Sequence, residues 1–135
     1  MSRALLSGIE LRCRRKMLGL NQEELAGWLG VAQATVSRWE GTALLPGGNT
    51  LGEETDELET ALDDIVNGYV RGAKAGAGPA VLIVEDSDEA FWAAHPDKEG
   101  VPVAVQQVAA GLAQRRLAAA GVAAHIRAGT ERPNV

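Results

Sequence analysis

Three glycines cut the first third of this chain into pieces that can only be small helices. Gly19, Gly30 and Gly41 separate amphipathic segments of two or three turns each. Ser7 to Leu18 reads as the first, with Ile9, Leu11 and Cys13 set among polar residues. Asn21 is a good N-cap for the second, and Glu24 three residues on suits a capping box. Leu25, Ala26 and Leu29 form its apolar stripe, which Gly30 ends. A third helix is predicted over 33–40, with Val36 and Trp39 spaced i, i+3 toward the core. Pro46-Gly47-Gly48 breaks the chain again. Helices this short are marginal alone in water, so packing on one another must hold them.

At 135 residues the chain allows one ordinary domain or two very small ones. An apolar content of 46% is too high for a disordered chain. No run approaches the ~18 apolar residues of a membrane span. The first residues, Met1 to Leu6, do not read as a secretory signal. Cys13 is the single cysteine, which excludes an intramolecular disulfide and a multi-cysteine zinc site. It is expected to be a small buried apolar group. A cytoplasmic protein is the default expectation.

The net charge of −5 hides an asymmetry. Residues 1–48 carry six basic and four acidic groups, residues 49–100 three and thirteen, and residues 101–135 four and one. A polyanion would therefore be met by the N-terminal third, not by the acidic middle.

A long helix is expected after the glycine break. Thr50-Leu51-Gly52-Glu53 has capping-box form, and Leu58, Leu62, Ile65 and Tyr69 make one apolar face. The acidic residues between them read as a solvated face. Residues 74–79 have linker composition. Ala80 to Val84 is an apolar run that suits a buried strand. Ser87 caps a short helix reaching Ala94, and Pro102 and Gly121 bracket a longer one. That longer helix is apolar on two sides: Val105, Val108 and Leu112, and Val103, Ala110 and Leu117. Val122 to Arg127 alternates like a strand, and the tail from Gly129 is expected to be loose.

The fold class is thus α+β. It has an all-α domain at 1–48, a connecting helix at 49–73, a linker at 74–79, a β-α-α-β unit at 80–128 and a flexible tail at 129–135. Two strands are not stable alone, so dimerisation is expected to complete that unit, which is also a candidate surface for a protein partner.

Two short helices joined at Gly30-Val31 have the spacing of a helix-turn-helix. The second helix of such a motif lies in the major groove of DNA, so its outer face needs groups that meet base edges. Gln33, Ala34, Ser37 and Arg38 face away from Val36 and Trp39. Glutamine can pair with adenine, arginine with guanine, and alanine can touch a thymine methyl. Asn21 and Gln22 open the preceding helix, where amides can meet phosphate. Thr35, Arg12 and Lys16 are further candidates for phosphate contact.

Leu18 to Ala26, then Leu29-Gly30-Val31, then Thr35 to Glu40 resembles the Cro/C1-type (XRE) helix-turn-helix family of transcriptional regulators. The match covers about residues 8–46. In that family a helix-one arginine pairs with the glutamate ending the recognition helix. The resemblance therefore implies a structural ion pair between Arg15 and Glu40. It also implies a phosphate-contacting role for Gln22 and base-reading positions at Gln33, Ala34 and Arg38. Three features depart from the family pattern. Ala32 stands where Ser or Thr usually caps, Glu40-Gly41-Thr42 replaces Glu-x-Gly, and no basic residue lies between Gly41 and Gly52. A helix-turn-helix followed by a small α/β unit is also similar in architecture to anti-CRISPR-associated regulators and related phage or host repressors.

The implied function is a dimeric repressor that binds an inverted-repeat operator in double-stranded DNA. The alternative is an antitoxin, with DNA on its first half and a toxin on its second. A third reading is an adaptor or enzyme whose helix-turn-helix no longer reads DNA. Trp39 reads as core, whereas Trp28 could face solvent or a neighbouring helix. His95 and His125 lack ligands at metal spacing, so neither a metal nor a cofactor is expected. Val81 to Asp86 resembles the first strand and acidic pair of a phospho-receiver domain. Only 49 residues follow Asp86, too few for that fold. No catalytic constellation is apparent, so no enzyme activity is expected.

Overall fold

The computed structural model describes residues 4–76 and 78–131. Among these are six α-helices and two strands. The helices are α1 (Gly8–Met17), α2 (Gln22–Leu29), α3 (Gln33–Glu40), α4 (Leu51–Ala75), α5 (Asp88–Ala94) and α6 (Val103–Ala119). The strands are β1 (Ala80–Val84) and β2 (Ala124–Ala128). The chain forms two compact units that divide at Thr60–Ala61, within α4. The long helix continues through Ala75.

In the first unit, local chemistry ends each helix where the glycines predicted. The Ser7 hydroxyl accepts from the Glu10 N–H and starts α1. Asn21 and Glu24 form the reciprocal capping box of α2. Gly30 ends α2 in the left-handed region at φ 72°, a conformation that costs a side-chain-bearing residue energy. Ala32 opens α3 without any side-chain cap.

The core of this unit is aliphatic: Leu5, Leu11, Leu18, Leu20, Leu25, Val36, Leu45, Leu51 and Leu58 are buried. Asn49 ties the N-terminal segment down. Its side chain accepts from the Leu5 N–H and donates to the Leu5 carbonyl, and it also accepts from the first N–H of α4. Trp28 faces a neighbouring helix, donating its indole N–H to the Glu54 carbonyl at 3.0 Å. Cys13 is exposed rather than buried. The reason is helical phase: α1 turns Leu11 and Leu18 inward, which leaves Ile9, Cys13 and Met17 outside. Trp39 is half-buried, not a full core residue.

The acidic face of α4 is not wholly solvated either. Arg14 of α1 reaches Asp56 at 2.5 Å and Glu59 at 2.8 Å, and its side chain is only 16% exposed.

In the second unit β1 and β2 pair in parallel, Ala80 opposite Ala124 through Val84 opposite Ala128. Parallel pairing needs a long crossover, and α5 and α6 supply it. Ser87 caps α5 through the Ala90 N–H. Asp88 caps α6 from a distance, accepting from the Val103 N–H. Leu82, Val84, Phe91, Val105, Ala109, Ala113 and Leu117 are buried, as are Leu62 and Val66 of α4. Both apolar sides expected on α6 are buried in part: Ala110 and Leu117 on one and Val105 on the other are buried, whereas Leu112 is 44% exposed. The tail expected to be loose begins with a short 3-10 helix, Gly129–Glu131, and its remainder, 132–135, lies outside the described residues.

Gly8 is packed too closely against its neighbours to carry a side chain. Its N–H donates to the Thr42 carbonyl, and any side chain there would strike the backbone carbonyls of Trp39 and Glu40. Gly8→Ala should lower stability by about 1–3 kcal/mol, read as a shift in the urea midpoint. An unchanged midpoint would mean that α1 and the end of α3 do not meet this closely.

Candidate nucleic-acid interface

Two helices of eight residues each, joined by a left-handed glycine, present one side of α3 to solvent. Val36 and Glu40 are buried beneath it, and Gln33, Ala34, Ser37 and Arg38 are exposed. The four base-reading candidates thus share one accessible surface, while Thr35 is half-buried beside them.

A buried polar cluster fixes α3 in place. The Glu40 carboxylate has no solvent-exposed side-chain surface. The Arg15 guanidinium binds it with two donors, Nε to Oε2 at 2.6 Å and Nη2 to Oε1 at 2.9 Å. A third Arg15 donor takes the Leu20 carbonyl at 2.9 Å. Gln22 donates to Oε1 at 3.1 Å, and the Arg12 Nε stands 3.5 Å from the same oxygen. Burial pushes the Glu40 carboxyl pKa up, but the hydrogen bonds from Arg15 and Gln22 and the Arg15 charge outweigh it, so the net position is below the usual carboxylate range. The same bonds raise Arg15. A bidentate guanidinium–carboxylate pair with its spare donor satisfied meets the geometric requirement for keeping a charge out of water.

The cluster extends to the exposed face of α3. Gln22 uses its Nε2 on Glu40, and its Oε1 accepts from Gln33 Nε2 at 3.5 Å. A chain of polar contacts therefore runs Arg15, Glu40, Gln22, Gln33, through α1, α3, α2 and back to α3. It orients the two glutamines before any ligand arrives, which lowers the ordering cost of binding.

The remaining candidates divide by what they already touch. Asn21 has its carbonyl oxygen in the capping box, so its Nδ2 is what a phosphate would meet. Lys16 is exposed at the end of α1. Arg12 is exposed but leans on Glu40. Arg14, which stands between Arg12 and Lys16 in the sequence, is a tie between α1 and α4. Its sequence signal was the acidic pair Asp56 and Glu59, spaced i, i+3 and so able to flank one cation.

Glu40→Gln should destabilise the first unit by about 3 kcal/mol, because it leaves Arg15 buried without its counter-charge. Because folding lowers the Glu40 pKa, the pair stabilises fully above the unfolded carboxyl pKa of about 4.3. That stabilisation is lost as pH falls through the folded value. Thermal melts across this range should therefore show an acid-side loss in the wild type that Glu40→Gln lacks. Parallel acid profiles for the two proteins would refute the assignment.

The chain matches no protein-family model, and a search of curated proteins returns no match.

Proposed function

We propose that this chain is a sequence-specific DNA-binding transcriptional regulator, a repressor that acts as a dimer on an inverted repeat. The observation that carries the reading is the arrangement of α2 and α3. A short helix, a left-handed glycine turn and a second short helix leave Gln33, Ala34, Ser37 and Arg38 on one open surface. In this reading α3 enters the major groove. Gln33 and Arg38 pair with base edges, and Ala34 packs on a thymine methyl. Gln22, Asn21, Thr35, Arg12 and Lys16 hold the phosphates beside it. Such a protein works at the nucleoid, in the cytoplasm, without a catalytic step. Among the described residues no helix is long and apolar enough to cross a membrane.

The second reading is an antitoxin, with DNA on the first unit and a toxin on the second. The division into two compact units favours it, because each has a core of its own.

Binding selection from random duplex DNA at two salt concentrations tests the proposal. An inverted repeat with half-sites about 34 Å apart, or a multiple of that, is expected. Arg12 and Lys16 from two copies amount to about four cation–phosphate contacts, which gives a slope of log affinity on log salt near −4. No enrichment, with binding indifferent to salt, would overturn the proposal.

Arg38→Ala should cost about 1–3 kcal/mol and relax preference at one base position. Gln22→Ala should weaken binding to every sequence alike. Equal loss on all sequences for Arg38→Ala would remove its base-reading role.

A further inference from the structure

The two-stranded sheet of the second unit has two outer edges, neither paired with a further strand among the described residues. Ala80 donates its N–H to the Ala123 carbonyl, and β1 and β2 run in parallel register. In such a ladder each residue points its N–H and C=O to one side, and the next residue points both to the other. Ala80, Leu82 and Val84 therefore turn toward β2, and Val81 and Ile83 turn away. On β2, His125 and Arg127 turn toward β1, and Ala124, Ile126 and Ala128 turn outward.

Side chains occupy only the far end of the outer edge of β1, and Val81 near its start is 50% exposed. The Tyr69 hydroxyl donates to the Ile83 carbonyl at 2.5 Å, and just past the strand the Glu85 N–H donates to Gln106 Oε1 at 2.8 Å. On β2 only the near end is occupied in this way, where Gln114 donates to the Ala124 carbonyl at 3.0 Å. The N–H and C=O of Ile126, at the centre of that edge, have no partner among the described residues. Its side chain is 40% exposed.

An open groove of about 510 Å³ leads onto this edge, lined by Gly111, Arg115 and Ala118 of α6 and by the stretch Gly121–His125. Its walls are mostly small residues, which leaves room for another chain's side chains. Arg115, His125 and Arg127 are exposed and have no ion-pair partner among the described residues. No acidic residue lines the groove.

We propose that the β2 edge binds an extended acidic segment of another protein by strand addition. The segment lies antiparallel to β2, and its central residue exchanges both backbone hydrogen bonds with Ile126. Residues on the Ile126 side of the segment are apolar, and alternate residues carry the carboxylates that meet Arg127 and His125. Charge selects this occupant over a second copy of the chain. Self-pairing about Ile126 would set the Arg127 guanidinium of each copy beside the His125 ring of the other and leave both arginines without a carboxylate to answer them. The proposal stands apart from DNA binding and is read out separately from it.

The probes are two end-blocked synthetic peptides, one alternating valine with glutamate and one alternating valine with lysine. Each is added to the full chain while amide hydrogen exchange is followed residue by residue. The glutamate peptide should slow exchange at Ile126 and Ala128 by about tenfold or more, with the effect shrinking as salt rises. The lysine peptide should not slow it. Ile126→Pro removes an outward N–H and no inward one, so the β1–β2 ladder can persist, as slow exchange at Leu82 and Val84 would report. It should weaken the glutamate peptide about tenfold, the worth of a backbone hydrogen bond or so. Arg127→Glu should reverse the preference between the peptides, which keeps the test decisive if the proline variant does not fold. Protection by both peptides equally, or by neither, overturns the proposal. So does protection at Ile126 that grows with protein concentration alone and is lost in Ile126→Pro, which would assign the edge to a second copy.

Discussion

One carboxylate holds the first unit together. Glu40 ends α3, Arg15 lies on α1 and Gln22 opens α2, so each short helix contributes one group to a single buried cluster. A charge withdrawn from water costs several kcal/mol unless opposite charge and hydrogen bonds replace the water. Here two guanidinium donors and an amide do so. The apolar core alone would let three small helices slide against one another, because burial has no direction. The bidentate pair has direction, and it fixes the end of α3 relative to α1. The start of α1 also lies against the last carbonyls of α3, where only glycine fits at position 8.

The cluster also limits the charge left over for a ligand. Arg14 and Arg15 are committed inside the protein, and Arg12 leans inward, so Lys16 and Arg38 carry most of the unengaged positive charge of α1 and α3. A surface so sparing in cations would gain little from phosphate attraction alone. Discrimination would rest on how well the exposed residues of α3 match base edges, and two glutamines already oriented by Glu40 suit that demand.

The helix boundaries in the first unit were legible in the sequence because capping and glycine chemistry are local. Asn21, Glu24 and Gly30 act within a turn of where they stand. The Arg15–Glu40 contact was legible only through family resemblance, since 25 residues separate the two. What escaped was what depends on helix phase and tertiary neighbours. Cys13 looks apolar and therefore internal, yet Leu11 and Leu18 take the inner face. Arg14 looks like one of a basic row, yet it points to α4. In the second unit the strands and caps were readable from apolar runs and from Ser87, but the parallel pairing was not, because register is set by the crossover. The outward-facing groups of Ile126 followed only from the ladder.

The division between the units falls inside α4, at Thr60–Ala61, rather than in a loop. Most two-unit chains can be dissected or recombined at a linker, with each half keeping whole elements. Here a cut at the division leaves the first unit with only the ten residues Leu51 to Thr60 of its last helix, too short to persist without packing. Leu51, Leu58 and the acidic residues that hold Arg14 all lie on that stub. The first unit therefore keeps the whole of its own core only when the chain is cut well beyond Thr60, and the boundary that suits dissection is not the boundary between the units.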